Sequence, residues 1–244
     1  MKNLFRKVNR LASAALIAVS AWAGFGAVPH ASAQPVVVVE LFTSQGCYSC
    51  PPADEVLGKL AEYDDIVALS MHVDYWDYLG WRDTFAQRGF TERQYSYRNS
   101  MGERVVYTPQ MIIQGVSPVT GSRGMSVKDA ISQVRATPET AVLSIRETGT
   151  GLKGTISPQS GAGEATLFMA KYTRSQTVDI ARGENGGKTL TYHNVVDMLS
   201  PLGTWSGREA REVDLPSPAQ GEGIAIWLQK GRTGAILAAA KFER

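Results

Sequence analysis

The 244-residue chain is poor in sulfur and imidazole: it has two cysteines, Cys47 and Cys50, and three histidines. That excludes a small fold stapled by several disulfides, which would need more cysteines spread along the chain. It also leaves Cys47, Cys50, His72 and His193 as the only thiol and imidazole groups beyond residue 33. No Gly-x-Ser-x-Gly elbow and no His-Glu-x-x-His helix occurs, so the chain carries no hydrolase signature. Gly183-Glu184-Asn185-Gly186-Gly187 lacks the Lys-Ser/Thr ending of a phosphate loop and reads as a hairpin turn. There is no repeat of fixed period and no low-complexity tract, and the composition is that of an ordinary globular protein.

Apolar length is limited as well. Lys2, Arg6, Lys7 and Arg10 precede an apolar stretch from Leu11 to Val28 that Ser13, Ser20, Gly24 and Gly26 interrupt. Pro29-His30-Ala31-Ser32-Ala33 supplies an Ala-x-Ala end, so residues 1–33 read as a secretory signal peptide cut before Gln34; a retained anchor is the weaker reading. Without a cysteine in the segment, lipid attachment there is excluded. Cleavage removes four of the 25 basic residues and none of the 23 acidic ones, taking the net charge from +2 to −2. A mature chain so near neutrality, without a basic run, has no electrostatic footprint for nucleic acid or a membrane surface. The expected location is periplasmic or secreted, with no membrane anchor after cleavage, in an oxidising setting that keeps a Cys-x-x-Cys pair closed.

From Gln34 to about Ala136, strand-like and helix-like runs alternate. Val36 to Phe42 reads as a strand, and Pro52 to Glu62 as a helix with Ala53, Val56, Leu57, Leu60 and Ala61 at helical spacing. Ile66 to Val73 is a second buried strand, Thr91 to Ser100 a helical candidate, and Val105 to Ile113 an apolar strand ended by Gly115. Ser126 reads as an N-cap with Asp129 three residues on. This order predicts an α/β layer whose first two strands are parallel. Beyond Thr137 come short strand-like runs: Ala141 to Arg146, Gly154 to Ile156, Glu164 to Tyr172, Thr177 to Ala181, Glu212 to Leu215, Gly223 to Gln229 and Ala235 to Phe242. Gly-rich turns separate them, as in a β-sandwich. The expected fold class is α/β: an α/β domain over 34–137, then a mainly antiparallel, sandwich-like β domain over 138–244. Extension of the first domain's sheet is the alternative.

Both cysteines lie in Gly46-Cys47-Tyr48-Ser49-Cys50, directly after the first strand. A four-residue ring gains only roughly 2 kcal/mol from loop closure, against about 3 for fifteen residues, so the spacing suits a redox pair better than a staple. Two sulfurs within one turn can open and close without the fold moving. The segment after the second strand, Asp74 to Asp83, should stand beside them at the carboxyl edge of the sheet, where ligands gather. His72 reads first as a strand-end histidine satisfied by hydrogen bonds, with metal ligation and proton transfer as alternatives.

A Cys-x-x-Cys after a first strand, followed by Thr108-Pro109 leading into a later strand, resembles the thioredoxin fold over residues 35–136. The runs from Glu40 to Asp54, His72 to Asp77 and Tyr107 to Gln110 resemble a family of secreted thioredoxin-like proteins known mainly as a domain of unknown function. The resemblance implies a cis-proline at Pro109 facing the disulfide, Cys47 as exposed attacking thiolate and Cys50 as buried resolver. It further implies a substrate strand aligned along Thr108 and Pro109, with Trp76 beside it. One departure is that Pro51 follows Cys50; proline disfavours helical geometry in the residue before it, which draws Cys50 toward a turn.

The function expected is an exported thiol–disulfide oxidoreductase with Cys47 and Cys50 catalytic, no cofactor and no resident metal. Its partners would be periplasmic thiol-bearing proteins or small thiols, with a membrane redox protein as a further candidate. The alternative is a non-enzymatic binder, either a copper or other metal carrier through Cys47, Cys50 and His72, or an adaptor with a structural disulfide.

Overall fold

The computed structural model describes residues 35–244, so the signal-peptide reading of residues 1–33 lies outside the described residues. β1 (Val37–Thr43) is buried at every position, and its unalternating Val-Val-Val-Glu-Leu-Phe run follows from cover on both faces. α1 (Pro51–Ala61) begins with Pro51 and Pro52, whose missing N–H groups have no intrahelical partner to lose. Cys50 is its N-cap; it closes the turn from Cys47 and, despite Pro51, takes helical backbone angles (φ −78°, ψ −37°). Its carbonyl accepts the Ala53 and Asp54 N–H groups at 2.8 and 3.1 Å, which offsets the crowding by Pro51.

β2 (Ile66–His72) pairs parallel to β1, in register from Val37 opposite Ile66 to Thr43 opposite His72. α2 (Arg88–Met101), β3 (Gln110–Ile113), β4 (Ser117–Thr120) and α3 (Gly124–Arg135) complete the first half. The strand expected from Val105 shrinks to β3, because the Tyr107 carbonyl bonds the Gln94 side-chain amide (2.8 Å) instead of a neighbouring strand. β4 was not foreseen; Pro118 is tolerated in it because β4 is the last strand of the sheet. Nor is Ser126 an N-cap: the Val127 N–H bonds the Arg123 carbonyl at 3.1 Å, so α3 starts two residues before Ser126.

The second half is all strand: β5 (Ala141–Thr148), β6 (Gly151–Pro158), β7 (Ala165–Ile180), β8 (Lys188–Trp205), β9 (Arg211–Leu215), β10 (Glu222–Gln229) and β11 (Ile236–Glu243). β7 fuses two expected runs, while β8 had no counterpart in the reading. Four of these strands continue the first-half sheet in the order β11-β10-β7-β8-β2-β1-β3-β4, while β5, β6 and β9 form a second sheet. The join is parallel, at Ser70 opposite Val195, reinforced by the Asn194 side-chain amide donating to the Ala68 carbonyl at 3.0 Å. The fold class is thus α/β with a mainly antiparallel second half. Thr137-Pro138 falls in the link between α3 and β5.

Sheet pleating sorts the core into layers. On one face Val37, Val39 and Leu41 meet Ala53 and Leu57 of α1 and Val127 and Ile131 of α3. On the other, Phe42, Leu69 and Met71 join Phe90 and Tyr97 of α2 with Phe168 and Trp227. Leu167, Ile224 and Ile226 pack against Leu143, Leu152 and Ile156 of the smaller sheet.

One charge pair lies inside this core. The Glu40 carboxylate, fully buried on β1, accepts from Arg93 Nε at 2.5 Å and Nη2 at 3.1 Å, and from the Tyr97 hydroxyl. Arg93 also donates to Gln229 Oε1 of β10 (2.9 Å) and to the Arg232 carbonyl (3.1 Å), and lies over the rings of Phe168 and Trp227. Removing one partner strands the other without water. Arg93→Met is therefore expected to cost about 3–5 kcal/mol of stability. Urea unfolding at pH 7 checks this, and a loss below about 1 kcal/mol would show that Glu40 finds other donors.

Candidate functional site

β1 ends at Thr43, and the chain turns through Ser44 to Cys50 into α1. The Cys47 N–H bonds the Ser44 carbonyl at 3.1 Å and the Cys50 N–H bonds the Cys47 carbonyl at 3.2 Å. This tight turn sets the two Cα atoms 5.4 Å apart, and Cys47 and Cys50 are joined as a disulfide. Gly46 is required by a close approach: a side chain there would come within 3.2 Å of Trp76 Cβ. The Trp76 indole N–H donates to Thr108 Oγ1 at 2.7 Å, and Thr108-Pro109 is a cis peptide. The Pro109 carbonyl accepts from Gly121, which lies against Ala53 in the first turn of α1. Trp76, Thr108 and Pro109, distant in sequence, are thereby gathered around the start of α1.

Cys47 is not exposed as expected: it is 1% accessible and Cys50 0%. The β7–β8 turn packs against this disulfide turn. The Asn185 side-chain amide donates to the Gln45 and Cys47 carbonyls, both at 2.9 Å, and the Glu184 carboxylate accepts from the Tyr48 N–H at 3.2 Å. Lys188 places its ammonium 4.9 Å from the centre of the Tyr48 ring and bonds Asn185 Oδ1 at 2.8 Å. The glycine-rich hairpin turn read from the sequence is therefore a lid on the disulfide turn. Tyr48 itself stays 67% exposed.

Below α1, at the carboxyl edge of β1 and β2, the packing turns polar. His72 is wholly buried, its Nδ1 2.7 Å from Asp83 Oδ2, and that carboxylate also accepts from the Gln45 N–H at 2.7 Å. Burial pushes the Asp83 carboxyl up, but His72 and the Gln45 and Phe85 N–H groups outweigh it and hold Asp83 below its ordinary range. Asp54, four residues after Cys50 on α1, is buried with neither oxygen hydrogen-bonded. Burial raises its carboxyl to about 7, against the pull of His72 and of the Thr43 hydroxyl, which is near without making a well-formed hydrogen bond. Tyr192 of β8 closes the space, its ring edge-on to His72 at a centroid distance of 4.9 Å.

His72 thus takes the hydrogen-bonded reading at Nδ1. Among the described residues no three histidine, cysteine, aspartate or glutamate side chains are grouped to hold a metal ion. The sequence reading gave no role at the site to Asp54, Asn185 or Tyr192, while Asp83 lay in the segment expected beside the disulfide and is paired, with His72. Spacing could have singled out Asp54, since positions four apart on a helix share a face. Nothing local tied the turn holding Asn185, or Tyr192 on β8, to a disulfide turn more than 130 residues away in the chain.

The proton affinity of Asp54 sets a pH dependence. A carboxyl whose pKa rises on folding stabilises the fold fully below its unfolded pKa, 3.8, and loses that contribution up to about 7. Asp54→Asn, a neutral isostere, should therefore gain on the wild type between pH 4 and pH 8, by on the order of 4 kcal/mol at most. Parallel stability profiles in urea across that range would contradict the burial of an unpaired carboxyl.

Comparison with known proteins places this geometry. No curated protein matches the chain. A crystal structure of a protein from Agrobacterium tumefaciens is similar, with 36% identity, a TM-score of 0.76, and coverage of 87% of this chain and 96% of that one. HBP35 of Porphyromonas gingivalis shares the fold at 14% identity and a TM-score of 0.56, over 86% of this chain and 75% of that one. A family model described as a protein of unknown function, DUF1223, matches residues 38–229, and the chain belongs to that family.

Proposed function

We propose that this protein is an exported, thioredoxin-like thiol–disulfide oxidoreductase that exchanges its Cys47–Cys50 couple with thiols of periplasmic proteins or with small thiols. The observation that carries the reading is a closed Cys-x-x-Cys disulfide at a helix N-terminus, with Trp76 packed against Gly46 and hydrogen-bonded to Thr108. A substrate thiolate attacks the Cys47 sulfur; the Cys47–Cys50 bond breaks and its electron pair leaves on Cys50, which takes up a proton. A second substrate thiolate then attacks the substrate sulfur of the mixed disulfide, releasing oxidised substrate and the Cys47 thiolate. In the opposite direction Cys50 resolves the mixed disulfide. The substrate chain would lie along Thr108 and Pro109, with Trp76 as an apolar wall.

The helix end gives the thiolate limited help. Pro51 and Pro52 have no N–H, and the Ala53 and Asp54 N–H groups are taken by the Cys50 carbonyl, so the dipole acts without amide donors. A thiolate stabilised so little favours the disulfide form, and hence a couple that reduces its partners and is recharged by a membrane redox protein.

The burial of both sulfurs favours a second reading, an adaptor with a permanently closed structural disulfide. The metal-carrier alternative gains no support, because Asp83 holds His72 Nδ1 and Nε2 is enclosed. Insulin reduction and scrambled-disulfide assays decide between exchange and adaptor. The wild type should turn over, and Cys47→Ser should lose at least about a hundredfold of that rate. Full activity in Cys47→Ser would overturn the mechanism, and a wild type inert in both assays would leave the adaptor.

A further inference from the structure

β7 pairs with β10 only as far as Thr173; from Ser175 to Ile180 its one partner is β8. Beyond that point the two strands form a ribbon arm that reaches past the main sheet to the disulfide turn. The inner strand rests on α1 and β2. Tyr192 stacks edge-on to His72 and, at 5.8 Å between centroids, to Phe85, while His193 fills the space a side chain at Gly58 would need. Under this seat five polar atoms are buried without a partner: Thr43 Oγ1, both Asp54 oxygens, His72 Nε2 and the Tyr192 hydroxyl. Buried polar atoms almost always pair, so five together from β1, α1, β2 and β8 make this a polar seat for a packed strand. A cavity of about 260 Å³ between α1 and β8, lined by Pro51, Glu55, Thr189 and His193, opens beside it.

We propose that this chamber is a proton-operated catch: with Asp54 protonated, the arm lies closed over Cys47–Cys50, and loss of that proton lifts the arm and admits reagents to the disulfide. The groups facing Asp54 are His72 from β2, Asp83 from the loop after it, Thr43 from β1, Tyr192 and His193 from β8, and Glu55 on its own helix. A protonated Asp54 leaves one carboxylate, Asp83, satisfied by His72 and the Gln45 and Phe85 N–H groups. A deprotonated Asp54 puts two carboxylates around one imidazole, with no donor on Asp54. The Thr43 and Tyr192 hydroxyls and His72 Nε2 make no hydrogen bond to it in the closed arrangement, so further donors come from water, which enters when Tyr192 leaves its seat. Because the closed form holds the proton more tightly than an open, hydrated form does, closure is favoured in acid and opening grows from about pH 4 toward pH 7. The step to the tip is short, since Tyr192 and Asn185 lie on the same arm. The functional meaning of the catch rests on the exchange reading above, but its opening can be measured without it.

The test is reduction of the disulfide in the full mature chain by a water-soluble phosphine from pH 5 to pH 8. Alkylation and mass measurement follow the reaction, and each rate is divided by that of a small linear disulfide under the same conditions. The normalised wild-type rate should rise at least about tenfold over this range. Asp54→Asn should keep the slow pH 5 rate throughout, and Asn185→Ala, lacking the bonds of the tip, should be fast already at pH 5. A flat wild-type profile, a rise retained in Asp54→Asn, or a slow Asn185→Ala overturns the catch. Should Asp54→Asn fail to fold, amide hydrogen exchange of residues 175–192 in the wild type decides: protection corrected for intrinsic exchange must fall from pH 5 to pH 8, and unchanged protection overturns the catch. The phosphine needs no partner thiol, so a flat profile with intact insulin reduction sinks the catch alone. A pH-dependent opening without any thiol exchange sinks the exchange reading alone.

Discussion

The Glu40–Arg93 pair is the constraint on which the two halves of the molecule meet. Arg93 is held by a carboxylate on β1, a hydroxyl on its own helix and a side-chain amide on β10. A buried guanidinium needs every donor satisfied, and its acceptors come from three elements placed at one point. Any slip of β10 against β1 would leave a charge without water or partner. The direct sheet join between the halves is meagre, a parallel bridge at Ser70 and Val195, so this knot, with Arg93 lying over the rings of Phe168 and Trp227, carries much of the registration.

With the halves registered, β8 is aligned over α1 and its turn reaches the disulfide. The contacts there are made to backbone atoms of the Cys-x-x-Cys turn: the Gln45 and Cys47 carbonyls and the Tyr48 N–H. Such bonds hold the turn's shape while leaving the sulfurs chemically untouched. The polar chamber lies beneath this turn, with buried side-chain atoms that make no hydrogen bond.

The first half was largely legible. β1, α1 and β2 came within a residue or two of their observed bounds, since unbroken β-branched runs and a 3.6-residue apolar period are local signals. The misses share a cause. Ser126 carries a cap-like pattern, but the preceding residues already satisfy the helix, and the residues from Val105 look strand-like yet bond a helix side chain. β8 escaped notice because it opens on Lys188 to Asn194, where threonine, histidine and asparagine outnumber apolar residues and mask the strand. The candidate site divided in the same way: Cys47, Cys50, His72, Trp76, Thr108 and Pro109 were marked by type and motif and residues 183–187 as a turn, while the contacts that bring that turn and Tyr192 to them were not.

What the sequence by itself determined is the chemistry available: two cysteines, one turn apart, at the end of a strand and the start of a helix. Spacing along the chain settles whether two sulfurs can meet, because a four-residue turn leaves little conformational choice. The tertiary structure alone decided whether those sulfurs are accessible. Exposure depends on what arrives from elsewhere, here the tip of a hairpin well over a hundred residues downstream, and no local pattern encodes the packing of two halves around a buried charge.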